Sequence, residues 1–218
     1  MLGDGLFDNR LDLTMGAYYF QEEGKNINPV RFSQAHLQSG GEFDTNSWAV
    51  FAQGIWHFND KLDLTFGMRY TEDTKDYLPD QFLEVLPIGP VGPPPLGFTC
   101  PPDTPVPPAA TCAVGDRVLP FTTVSRKTTE AVPMVNLAYR WNDGLMTYLT
   151  YSEGFKSGGY TQRIFPPESS LPDFDPEFVT SYEAGFKYDG WDDKLRFNFA
   201  FFFTDYTDLQ LLVADPSR

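Results

Sequence analysis

The chain has 218 residues, enough for one core, and carries a formal charge of -14, which excludes a nucleic-acid partner because phosphates demand Lys and Arg. Aromatic residues make up 16% of it, yet the longest apolar run, Phe197 to Phe203, is interrupted by Asn198 and falls far short of the ~18 residues of a membrane helix. Apolar residues dispersed in this way are what alternating strands produce.

Met1-Leu2-Gly3-Asp4-Gly5 offers neither a basic start nor an apolar stretch, so this segment is not expected to be a signal peptide. Asp215-Pro216-Ser217-Arg218 comes soon after a strand, and both ends are expected to be cuts in a longer protein. The first strand is predicted over residues 10-23, a long loop over 24-45, and strands over 46-58 and 61-77, joined by the tight turn Asn59-Asp60. LDLTMGAYY at residues 11-19 nearly repeats as LDLTFGMRY at 62-70, with six of nine positions identical. In the second copy Leu62, Leu64, Phe66, Met68 and Tyr70 share one face and Asp63, Thr65, Gly67, Arg69 and Thr71 the other.

Residues 78-125 form a second long loop, with ten prolines between Pro87 and Pro108. Proline removes backbone donors, so this stretch is no sheet interior; it reads as an external loop or as a linker between soluble domains. Cys100 and Cys112 stand within it, without neighbouring histidines to make a metal site. A disulfide is the preferred reading over free thiols. On the chain-entropy model it stabilises the loop by about 3 kcal/mol, an upper bound where prolines already stiffen the segment.

Further strands are predicted over 126-141, 145-154, 177-188 and 194-206, about seven in all. The last places Leu195, Phe197, Phe199, Phe201 and Phe203 opposite Arg196, Asn198, Ala200, Phe202 and Thr204. Such an apolar face needs a second sheet in a soluble sandwich, or lipid in a barrel. Asn142-Asp143-Gly144 and Asp189 to Asp193 are tight turns, and 155-176 is a third long loop. An antiparallel meander with every second connection short is the pattern of outer-membrane barrels, with short turns in the periplasm and long loops outside. Trp56, Trp141 and Trp191 lie at the short turns, where an interfacial aromatic belt belongs.

Three segments carry a family resemblance. WAVFAQGIWHFNDKLDLTFGMRYTEDTKD at 48-76, with Gly67, Arg69 and Tyr70, resembles the strand-turn-strand unit of TonB-dependent receptors. YSEGFKSGGY at 151-160 is similar to that family's strand-to-loop element, and FDPEFVTSYEAGFKYD at 174-189 with KLRFNFAFFFTDYTDLQ is similar to the family's next pair of strands. The resemblance implies an all-β chain forming about a third of a plugged, transmembrane outer-membrane barrel of about 22 strands. It also implies a Gram-negative outer membrane and import of a scarce nutrient such as a ferric siderophore, energised through TonB. The plug domain, TonB, lipid and an iron chelate are the implied partners. A passive porin, or a soluble β-sandwich binding module, is the alternative.

No catalytic pattern and no cofactor are expected: His36 and His57 are far apart, His57 reads as a surface residue beside a turn, and Ser157-Gly158-Gly159 leads into Pro166-Pro167 rather than the helix of a nucleophile elbow. The residues expected to line the lumen are Asp63, Arg69, Asn136, Arg140, Glu183, Lys187, Arg196 and Asn198. Phe155, Tyr160 and Phe165 are the loop aromatics expected to stack on a planar ligand. The -14 charge fits solvated loops on an exported protein, or an acidic mouth that attracts cations.

Overall fold

The computed structural model describes residues 2-31, 36-85, 117, 119-161, 171-192 and 194-211. Seven long strands pair in chain order as one antiparallel meander: β2 (Leu11–Arg31), β3 (His36–Asn59), β4 (Leu62–Pro79), β6 (Val124–Asn142), β7 (Leu145–Lys156), β10 (Glu177–Gly190) and β11 (Leu195–Thr207). Strand β1 (Leu2–Gly5) adds an edge beside β2 through the short α1 (Leu6–Asn9), and β5 (Phe82–Val85) pairs with β3. A separate hairpin joins β8 (Gly159–Tyr160) to β9 (Asp173–Phe174).

Short polar side chains close the tight turns. The Asn59 carboxamide oxygen accepts from the N–H groups of Lys61 at 2.9 Å and Leu62 at 3.0 Å, and that of Asn142 accepts from Gly144 at 2.9 Å. Trp191 and Asp192 turn the chain with left-handed φ of 57° and 54°. All three turns lie at one end of the meander, opposite the β2–β3, β4–β6 and β7–β10 connections.

The expected long loop over 24-45 is corrected. β2 and β3 stay paired from Gly24↔Phe43 to Arg31↔His36, so most of that loop is strand. Its sequence hides this because Glu23, Lys25 and Asn26 on one strand and Gln38, Ser39, Glu42 and Asp44 on the other give neither face an apolar period. The ladder persists because hydrogen bonding needs no apolar face. The Tyr77 hydroxyl reaches across from β4 to the Gly40 carbonyl at 3.0 Å and braces it.

The ends of the Pro-rich stretch are likewise more ordered than 78-125 implies. β4 continues to Pro79, β5 adds to β3, and β6 starts at Val124. Leu37, Ser39, Tyr77, Pro79, Gln81 and Leu119 are all buried there, with Arg117 paired to Asp80 at 2.7 Å. Cys100 and Cys112 lie outside the described residues, as does Phe165.

The meander is a wall one sheet thick. Opposite residues of an antiparallel pair share a face, and the register puts Leu62, Tyr139, Thr147, Phe186 and Phe199 in one row, and Phe66, Val135, Tyr151, Tyr182 and Phe203 in the next. This face shows its large side chains to the surroundings: Phe199 is 51% exposed and Phe201 66%. The buried Ala49, Asp63, Thr71 and Thr128 all stand on the opposite face. Glycines are roofed by the aromatic directly opposite them, Gly16 by Phe51, Gly24 by Phe43 and Gly54 by Phe66, so a β-carbon at these points would collide with a ring.

Candidate functional site

The candidate site is the polar face. Register places Asp63 opposite Ala138, Asn136 opposite Thr150, Glu183 opposite Thr150 from the other side, Lys187 opposite Met146 and Asn198, and Arg196 opposite Asp189. Arg69 and Arg140 join them by the period of two, so all eight predicted residues share this face. Tyr18, Phe51 and Phe202 share it as well.

Near the short-turn end the polar groups form a chain across four strands. Asp63, only 6% exposed, accepts from Arg140 Nη1 at 2.7 Å through one oxygen and faces His57 Nδ1 at 2.7 Å through the other. His57 Nε2 lies 3.1 Å from Asp12 Oδ2, whose second oxygen accepts from the Gly5 N–H at 3.0 Å. Ionised carboxylates only accept, so both contacts are satisfied when both ring nitrogens donate. His57, read from sequence as a surface residue, is the link between β2 and β4. Asp12 is its missed partner; the pair stand 45 residues apart, and only the strand register brings them together.

Higher on the same face, Asn136 Nδ2 donates to Thr150 Oγ1 at 2.7 Å and the Tyr148 hydroxyl to Glu183 Oε1 at 2.5 Å. The Lys187 ammonium lies 5.9 Å from the centre of the Tyr148 ring, and Arg196 Nε donates to Asp189 at 2.5 Å. Arg69 donates to Thr71 Oγ1 at 3.0 Å with its guanidinium 5.7 Å from the Tyr18 ring centre. Polar groups thus satisfy one another between strands on this side of the wall; among the described residues no group of three or more His, Cys, Asp and Glu could hold a metal ion.

On the other face of β4 and its neighbours, no charge appears from Leu62 to Tyr70. Trp48 and Tyr70 rings, 5.4 Å apart, end that band, and Glu72, paired with Lys127 at 2.8 Å, comes next. At the short-turn end Tyr139 and Trp141 pack edge-on at 4.8 Å, and the Trp141 indole donates to Thr147. Aromatic rings bracketing an uncharged zone are the signature of a lipid-facing wall. Phe155, expected in a loop, belongs to β7 and stands on this face opposite Phe178. Tyr160 sits in β8, where burial pushes its hydroxyl pKa up and the Asp173 charge adds to the effect.

Residues 2–218 match the family described as TonB dependent receptor-like, beta-barrel. The chain belongs to that family. It therefore lies in the outer membrane of Gram-negative bacteria, as a stretch of a receptor barrel. Two solved structures share its fold: the ferric yersiniabactin uptake receptor FyuA from Yersinia pestis and the ferric-catecholate import receptor Fiu from E. coli K12 in its closed form. FyuA superposes with a TM-score of 0.69 at 18% identity over 93% of this chain and 27% of that one. Fiu gives 0.63 at 15% over 90% and 28%. The chain thus spans under a third of the length of the TonB-dependent receptors it matches.

Proposed function

We propose that the chain forms part of the wall of a receptor that imports a scarce nutrient, a ferric siderophore, with energy delivered through TonB. The observation that carries this reading is the division of the wall. One face is an uncharged aromatic band, and the other is a hydrogen-bonded polar surface running from Asp12 and His57 to Arg196. Family membership and the import function printed for FyuA and Fiu support the substrate class.

On this reading Asp63, Arg69, Asn136, Arg140, Glu183, Lys187, Arg196 and Asn198 line the lumen, and their charges give a plug domain of the same full-length protein a polar wall to dock against. A plug held by many such contacts closes the pore at rest, and each contact is weak enough to break when force reaches it through TonB. The Pro-rich connection between β5 and β6 is the external loop, with Cys100 and Cys112 bridged. Tyr160 and Phe165 are the loop aromatics for a planar ligand; Phe155, on the apolar face, is withdrawn from that role.

Uptake of labelled ferric siderophores into cells expressing the full-length protein, with and without TonB, tests the proposal. Uptake should vanish without TonB. Equal uptake in both strains would instead make the protein a passive channel.

A further inference from the structure

At the short-turn end the chain enters β2 through a strained turn. Phe7, Asp8 and Asn9 follow one another with φ of 54°, 59° and 65°, left-handed values that residues with a β-carbon adopt reluctantly. Three such residues in succession hold only where their surroundings over-determine them. Two hydrogen bonds grip the turn from outside. The Gly5 N–H at its start donates to Asp12 Oδ1 at 3.0 Å, and the Arg10 carbonyl at its end accepts from the His57 N–H at 2.8 Å. Both lead to His57, because the second oxygen of Asp12 faces its ring at Nε2.

The charged groups around the ring decide what its second proton does. Asp12 of β2 stands on one side and Asp63 of β4 on the other, Arg140 of β6 reaches the far oxygen of Asp63, and Arg10 meets His57 through its backbone. With both nitrogens protonated, two cations face two carboxylates and both ring contacts run from donor to acceptor. A neutral ring has one N–H. It keeps that proton on Nδ1, 2.7 Å from Asp63, because a buried carboxylate has no water to turn to. Nε2 then presents a lone pair to Asp12 Oδ2 at 3.1 Å, acceptor against acceptor, and Asp12, 40% exposed at the side chain, turns to water.

We propose that His57 is a proton-operated latch on the β1–β2 turn. The doubly protonated ring holds Asp12, Asp12 holds the Gly5 N–H, and loss of the second proton frees Asp12 and lets the strained turn relax. The turn is therefore held at low pH and released as pH rises. Since the latch lies on the polar face, the pH of the surrounding water reaches it. Its action is independent of what the barrel imports.

Hydrogen exchange of the Arg10 amide, which donates to the Leu6 carbonyl at 3.0 Å inside the turn, tests this in the full-length receptor in lipid vesicles. Exchange is expressed as protection relative to an unstructured peptide at the same pH. It is read at about pH 6 and about pH 9, on either side of the range in which an imidazole between carboxylates gives up its proton. Protection should fall at least about threefold from the lower pH to the higher in the native sequence. His57→Gln, with one donor and one acceptor at every pH, should show the low value at both. Asp12→Asn is the sharper variant. Its amide NH2 donates to the neutral ring while its oxygen still accepts from Gly5, so the turn should be held at the higher pH at least as firmly as at the lower. Constant protection in the native sequence overturns the latch, because the proton then does nothing to the turn. A fall of the native size in Asp12→Asn overturns it too, because some other group is then titrating. Should His57→Gln fail to fold, the Asp12→Asn comparison decides alone.

Discussion

Asp63 shows how a single residue was half legible. Its place between Leu62 and Leu64 in a period of two assigned it to the polar face, but its partners His57, Arg140 and Asp12 through His57 come from three other strands and are brought to it only by register. Asp63→Asn removes the charge and sets an NH2 donor against either Arg140 or His57 while keeping one acceptor oxygen for the other, so it is expected to destabilise the barrel by about 1.5–3 kcal/mol. Urea unfolding of the full-length protein in lipid vesicles reads that value, and a neutral variant would show the network to be ornamental. Phe199 poses the opposite case. An Arg at this position, facing lipid near the middle of the apolar band, should cost ~2–4 kcal/mol in the same titration, while Asn198→Arg, one residue away on the polar face, should cost little.

Among the elements, legibility tracked alternation. β4, β6, β7, β10 and β11 were placed to within a few residues because each sets large apolar side chains against polar ones, and lipid enforces that division. It failed for the upper halves of β2 and β3, where the strands leave the lipid and nothing selects an apolar face. The β8–β9 hairpin was invisible for another reason: its two residues per strand carry no period, and Arg126 that anchors it lies 47 residues before Asp173. Pairing of β6 with β7 begins only at Met134, one residue after Pro133, which has no N–H to donate. Pro133→Val restores a donor facing β7 and is expected to extend the β6–β7 ladder upward, slowing amide exchange at Glu153 and Gly154; unchanged exchange would mean that the strands part for another reason. In the Pro-rich connection we expect Cys100 and Cys112 to resist thiol labelling on intact cells until reductant is added, with the barrel still folded afterwards. Two freely reactive thiols before reduction would refute the bridge.

For the molecule as a whole, the two faces are decisive. The wall makes physical sense only when one face meets lipid and the other meets water, since an aromatic band this exposed would drive aggregation in water and a face carrying Asp63, Glu183, Lys187 and Arg196 has no place in lipid. The direct measurement is a spin-label scan of residues 195–206 in the full-length receptor, reconstituted in lipid, on a Cys100→Ser, Cys112→Ser background. Collision with oxygen, which concentrates in the bilayer, should peak at Leu195, Phe197, Phe199, Phe201 and Phe203, and collision with a water-soluble nickel chelate at Arg196, Asn198, Ala200, Phe202 and Thr204. A scan without a period of two, or with the two probes exchanged in phase, would contradict the assignment of the polar face to the lumen.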